Sequence, residues 1–262
     1  MDFKLTSCQA RNTFPLMRLL SEYLENKMDL NVSYVHDAPW QDRSRWLHAG
    51  DIQLGWICSK PYALQLDANP RLLEGIAVPI MKGDLYAGQP VYYSYLVVHK
   101  DNPAVSIYDL KNGSVAYNEP GSQSGYFSLL TGLAEIGETA DYFSQWLESG
   151  AHKYSLGWLQ TKRVDAAAID STLWDYESSL DPQRFADLKI IGLLGPFPGP
   201  PLAAHFSVPT EMRDQLRQIL AELHLTPEGR AILDASHISH FESVSDPLYR
   251  QLAHVKLPTP KI

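Results

Sequence analysis

The sequence predicts an α/β protein of two lobes, the second inserted into the first. Three observations carry that reading. Short apolar strands and amphipathic helices alternate from the N-terminus. The alternation resumes after a long apolar strand at Val91–Val98. A proline-dense passage, Pro196–Pro201, then precedes a return to strand and helix. Alternating strand–helix units give parallel pairs through crossover helices. If the long strand and the proline passage both cross between lobes, the first lobe is residues 1–95 plus 201–262. The second is 96–200. Two α/β lobes with two hinge crossings describe a protein that binds in a cleft.

Phe3–Cys8 reads as the first strand. Phe14–Leu24 is a helix with Leu16, Leu19, Leu20, Tyr23 and Leu24 at helical spacing, and Pro15 suits its first turn. Asn31–Val35, the helix Trp40–His48 stopped by Gly50, and the strand Asp51–Ile57 complete βαβαβ. That pattern predicts a mainly parallel sheet with a ligand edge at the strands' C-terminal ends. A helix around Tyr62–Leu66 and a strand at Glu74–Met81 follow. Ser106–Leu110 is a short helix and Ser114–Tyr117 a short strand. Further on the pattern predicts helices at Ala140–Leu147 and Ser155–Thr161, with Ala151–Lys153 strand-like between them. Val164–Ile169 and Leu188–Leu193 are strands around a helix at Thr172–Glu177. Gly195–Pro201 is expected to be irregular, since dense prolines remove donors and fix φ. The strand Leu202–Val208 and helices at Pro209–Leu223 and Thr226–Leu233 lead to a loosely patterned tail from Phe241.

Composition limits the function. The 262 residues are 45% hydrophobic and 20% charged, with a net charge of −8. No basic run exists, so general nucleic-acid binding is not expected. No stretch approaches the roughly 18 apolar residues of a membrane span. The N-terminus shows no basic-then-apolar leader. The expected location is periplasmic or extracytoplasmic if an export signal was removed, and cytoplasmic if Met1 is native. Cys8 and Cys58 make no disulfide framework and are expected to be buried free thiols. The histidines show no metal-ligand spacing, and no cofactor is expected.

The stretch with the most chemistry is Tyr117-Asn118-Glu119-Pro120-Gly121-Ser122-Gln123-Ser124-Gly125-Tyr126. It joins a strand to a helix predicted over Tyr126–Ile136. The first N–H groups of a helix lack internal partners and face the positive end of its dipole. Gly121 and Gly125 let a ligand approach, and Ser122 and Ser124 add hydroxyl donors. The bland alternative is a capped helix start. The lysine of a nucleotide-binding P-loop is missing. His152, after Gly150, is either a ligand donor or a satisfied histidine. Lys60, on the ligand edge, is a cleft cation or a solvated loop lysine. Tyr62 and Trp40 either wall the cleft or pack. Asp170 orients His152, contacts ligand or caps the helix after it, and Asn118 and Glu119 tie down the turn.

Several segments in order carry a resemblance. They are Tyr92-Tyr93-Ser94 leading into Val97-Val98-His99-Lys100-Asp101-Asn102-Pro103, and Tyr108-Asp109-Leu110. Gly121-Ser122-Gln123-Ser124-Gly125, Gly150-Ala151-His152, Val164–Asp170 and Pro198-Gly199-Pro200-Pro201 follow. Together, over nearly the whole chain, they resemble the phosphate/phosphonate-binding components of ABC transporters, which have the type 2 periplasmic-binding fold. The resemblance implies a small anionic ligand and an ABC permease as partner. It implies that Ser122, Gln123, Ser124 and Gly125 hold phosphonate or phosphate oxygens, that His152 donates to them, and that Tyr92 bonds the anion or closes the cleft. Asp170 falls near the family's acidic or amide position. The turn departs from the usual Ser-Thr-Ser-Gly, with Gln123 in the Thr place. Thr172 and Pro200 stand where aminophosphonate binders carry acids, which argues against an ammonium-bearing ligand. The expected function is capture of a small oxyanion without chemistry. The alternatives are a cofactor-biosynthesis enzyme of this fold, with His152 or Asp170 as acid/base, and a sensor domain.

Overall fold

The computed structural model describes residues 2–255. Met1 and the end of the expected first lobe, 256–262, lie outside the described residues. The chain divides into two compact units. One combines the residues up to Val91 with Pro198–Ala253, and the other is built on Tyr92–Phe197.

The first unit holds a six-stranded sheet. Its strands are β1 (Asp2–Ser7), β2 (Asn31–Val35), β3 (Leu54–Trp56), β4 (Leu73–Met81), β10 (Leu202–His205) and β11 (Ile238–Glu242), in the order β11-β4-β10-β3-β1-β2. Only β2-β1-β3 is parallel. β10 runs antiparallel to β3 and β4, and β11 antiparallel to β4. The mainly parallel sheet read from the sequence is therefore confined to the βαβαβ stretch. The returning chain enters between β3 and β4 from the opposite direction. Helices α1 (Phe14–Met28), α2 (Trp40–Ala49), α3 (Ser59–Gln65), α7 (Thr210–Glu222), α8 (Pro227–Asp234) and α9 (Asp246–His254) belong to this unit. α1 buries Leu16, Met17, Leu20, Tyr23 and Leu24, with Pro15 at its start. Each such side chain taken from water contributes about 1.5–3 kcal/mol.

The second unit holds a five-stranded sheet, ordered β7-β6-β8-β5-β9. Its strands are β5 (Val91–His99), β6 (Ser114–Tyr117), β7 (Gln145–Glu148), β8 (Ala166–Asp170) and β9 (Leu188–Pro198). β6 pairs parallel with β7 and β8, whereas β5 runs antiparallel to β8. Helices α4 (Ser128–Glu135), α5 (His152–Gln160) and α6 (Ser171–Leu180) flank it. Leu156 and Leu159 of α5 pack with Val97, Ala116, Ala167 and Ile169 from the sheet.

Four expectations are corrected. The helix expected at Ala140–Leu147 is a single 3₁₀ turn, Ala140–Tyr142, followed by β7. β7 exists because it pairs with β6 from Ser114↔Gln145 to Tyr117↔Glu148, a non-local gain that local spacing does not encode. The strand expected at Ala151–Lys153 is the start of α5. The proline passage is not wholly irregular, since β9 runs to Pro198. Prolines are tolerated there because β9 is an edge strand, where missing donors break no inner ladder. The tail beyond Phe241 forms the rest of β11 and then α9. Cys8 and Cys58 form no disulfide, and they are half-buried where the sequence predicts burial.

Candidate functional site

β6 delivers the chain to the C-terminal edge of the second sheet, and residues 118–122 turn it into a helix. The first helical residues, Gln123–Phe127, form a π turn: the Phe127 N–H reaches the Ser122 carbonyl at 3.0 Å, five residues back. π turns widen the backbone and recur at functional sites. Ser122 is the N-cap, and its Oγ accepts the Gly125 N–H at 3.0 Å. That bond uses an acceptor pair, so the hydroxyl hydrogen of Ser122 is left to donate. Gly125 is dictated by its neighbour: a Cβ there would lie 1.7 Å from Asn118 Oδ1. Ser122, Gln123, Ser124 and Gly125 are all buried. The amides of the first turn have no carbonyl of their own helix behind them.

Two further side chains converge on this turn. His152 is the first residue of α5, because extended Ala151 ends the preceding loop. Its Nε2 lies 3.0 Å from Ser124 Oγ. Burial pushes the imidazole down to about 4, with the Ala168 carbonyl opposing. The ring is therefore neutral at pH 7 and offers hydrogen bonds rather than charge. Asp170 ends β8 and caps α6, accepting from the Thr172 and Leu173 N–H groups. Burial raises its carboxyl, while hydrogen bonds from Thr172, Leu173 and Ser124 pull it down. Ser124 thus stands between an imidazole and a carboxyl, and the sequence-predicted Ser122, Gln123, Ser124, Gly125, His152 and Asp170 form one cluster.

The cluster has one member that the sequence reading did not single out. Ser94 pairs with Asp170 across β5 and β8. Its hydroxyl is buried and makes no hydrogen bond among the described residues. Its only sequence signal was its place after Tyr92-Tyr93. Glu119 is pushed up to about 7 by burial and by the nearby Glu148 carboxylate. A carboxyl near half-protonation repels an anion less than a fixed carboxylate does.

The remaining candidates sit differently. Tyr62 is wholly buried, and its hydroxyl donates to Asp246 Oδ1 at 2.7 Å. It also accepts from the Gly75 N–H at 3.0 Å and Arg71 Nη2 at 3.1 Å. One donor and two acceptors exhaust a phenol, so Tyr62 is a structural tie and not the ligand contact expected from the sequence. Lys60 is buried, not solvated, and its Nζ donates to the Leu252 carbonyl at 2.8 Å, in the last turn of α9. Burial holds its pKa below the usual lysine range. Tyr92 is buried with its ring edge-on to Phe197, the centroids 6.2 Å apart. Thr172 Oγ1 donates to Asp170, and the Pro200 carbonyl accepts from Trp56 Nε1. Among the described residues no group of three or more His, Cys, Asp or Glu side chains is placed to hold a metal ion. No helix among them is long and apolar enough to cross a membrane.

Comparison with known proteins gives the family. Residues 5–249 match the family described as ABC transporter, phosphonate, periplasmic substrate-binding protein. The chain belongs to that family. Its members are substrate-binding proteins, not enzymes, so a cofactor-biosynthesis enzyme is not the favoured reading. The phosphonates-binding periplasmic protein of Escherichia coli K12 is 28% identical, over 94% of this chain and 72% of that protein. A binding protein component of an ABC phosphonate transporter from Pseudomonas aeruginosa superposes with a TM-score of 0.80 at 18% identity. The match covers 96% of this chain and 84% of that one. PhnD1 from Prochlorococcus marinus MIT 9301, solved in complex with methylphosphonate, gives 0.79 at 18% identity, covering 96% and 95%. These likenesses show the type 2 periplasmic-binding fold for a phosphonate-family chain.

Proposed function

We propose that this family member captures a small phosphonate, phosphite or phosphate at the turn Ser122–Gly125, with His152 as a further donor, and hands it to an ABC permease on the periplasmic side. The observation that carries this is the buried Ser124–His152 contact at 3.0 Å, beside a Ser122 hydroxyl whose hydrogen is uncommitted. Neutral donors at the positive end of a helix suit a tetrahedral oxyanion, because hydrogen bonds to an ionised acceptor are the strong ones. A neutral imidazole adds no charge of its own, and the burial that raises the Asp170 carboxyl lessens the repulsion a carboxylate would bring. The ligand carries no ammonium group in this reading. Thr172 and Pro200, which stand where aminophosphonate binders carry acids, are committed to Asp170 and Trp56. The P. marinus protein's methylphosphonate is the model ligand.

Calorimetry with methylphosphonate, phosphite, phosphate and aminoethylphosphonate tests this. Methylphosphonate or another unsubstituted oxyanion is expected to bind more tightly than the amino compound. Ser124→Ala is expected to weaken the tightest ligand about ten- to a hundredfold, about 1–3 kcal/mol for a buried donor to a charged acceptor. Unchanged affinity in Ser124→Ala would remove the turn from the site.

A further inference from the structure

Arg43 lies in α2 on the face that also carries Leu47, and that face is turned inward. Leu47 packs against Gly55 of β3, where a Cβ would come within 2.4 Å of a Leu47 methyl. One turn earlier, the same burial falls on a guanidinium. Arg43 is only 5% exposed. Its Nε and Nη1 are buried without a hydrogen-bond partner. Among the described residues no carboxylate is paired with it. The acid beside it in sequence, Asp42, is paired with Arg45. A compensating contact among the described residues is the Phe14 ring, 5.9 Å from Arg43 Cζ. An arginine does not escape burial by losing its proton. A buried cation left alone is costly.

The surroundings supply further donors. The Tyr34 ring lies 6.0 Å from that of Phe14. Its hydroxyl is buried and unpartnered, and Arg43 is the charge acting most strongly on it. Burial holds it protonated. Gln9, following Cys8 at the end of β1, buries its Nε2 without a partner. Tyr34 lies in β2 beside β1, and Gln9 follows β1, so both stand near the C-terminal ends of the parallel strands, where open α/β sheets bind ligands.

We infer that the first unit holds an anion site of its own, in which the Arg43 guanidinium and the Tyr34 hydroxyl bind a small oxyanion. A guanidinium fork matches the paired oxygens of a phosphate or carboxylate. The site lies wholly in the first unit and does not rest on the Ser122–Gly125 assignment.

Arginine-selective ¹⁵N NMR with inorganic phosphate tests it. The Arg43 Nε–H signal is assigned by its loss in Arg43→Lys. It is expected to move saturably with phosphate, in wild type and in Ser124→Ala alike, and not with matched potassium chloride. Arg43→Met is expected to melt no lower than wild type in low-salt HEPES, because it removes an unpaired buried charge. In a Ser124→Ala background, Arg43→Lys is expected to raise about tenfold the phosphate concentration that half-saturates the rise in melting temperature. A signal that phosphate does not move, or that chloride moves equally, overturns the site and leaves an adventitious ion only. So does an Arg43→Met protein, in the Ser124→Ala background, that melts well below its parent and keeps the parent's rise in melting temperature with phosphate. If Ser124→Ala keeps full methylphosphonate affinity while the Arg43 signal still moves, the turn assignment fails and this one stands.

Discussion

Tyr62 in the first unit and Ser124 in the second are both buried hydroxyls among charged or polar neighbours, and they differ in one respect. Tyr62 is saturated: it donates to Asp246 and accepts from Gly75 and Arg71. Ser124 stands in an unfinished set, with the Ser94 hydroxyl unpartnered close by and the Ser122 hydrogen uncommitted. Full satisfaction marks a polar group that holds the fold. Incomplete satisfaction marks one that waits for something from outside, since a buried unpaired polar group costs about 1–3 kcal/mol.

The comparison can be broken most sharply at Gly125. Gly125→Ala places a Cβ 1.7 Å from Asn118 Oδ1, so either the turn opens or Asn118 leaves. Loss of oxyanion binding is expected by calorimetry, with a drop in stability of about 2–4 kcal/mol in urea unfolding. Next in size is the His152 titration. Its pKa falls from 6.5 in the unfolded chain to about 4 when folded. The folded form therefore gains stability above pH 6.5 and loses it as pH falls toward 4, by about 3 kcal/mol. Urea titrations at pH 7.5, 5 and 4 should show the decline, and His152→Gln should flatten it. Glu119 has the opposite sign: raised to about 7, it adds stability at low pH that is lost as pH rises from 4.5 through 7. The smallest effect sharpens the contrast. Tyr62→Phe should cost about 2 kcal/mol of stability by stranding Asp246 Oδ1 and the Gly75 N–H, yet leave methylphosphonate affinity unchanged.

Much of this was legible in the sequence, because its signals are local. Glycines and serines between a strand and an amphipathic helix announce a capped helix start, and Ser122 does cap that helix. The strands β1, β2, β4, β5 and β6 could be read from apolar runs. What was not legible depends on partners distant in sequence. β7 needs β6 beside it to prevail over a helical spacing of Tyr142, Phe143 and Trp146. Tyr62 looked available because its acceptor Asp246 lies 184 residues away. Arg43, in Asp42-Arg43-Ser44-Arg45, looks like any solvated helix charge until the fold turns it inward.

The position of β10 bears on how the protein is made. This short strand, Leu202–His205, is wedged between β3 and β4, and it arrives only after the whole second unit has been synthesised. Until then the nascent N-terminal segment has two inner strand edges bare, and the Trp56 indole lacks the Pro200 carbonyl it will bond. The continuous stretch 92–197 has every strand of its own sheet in hand much earlier. The order of emergence from the ribosome thus favours completion of the middle of the chain first, with the flanking halves exposed to mispairing until the final third closes their gap.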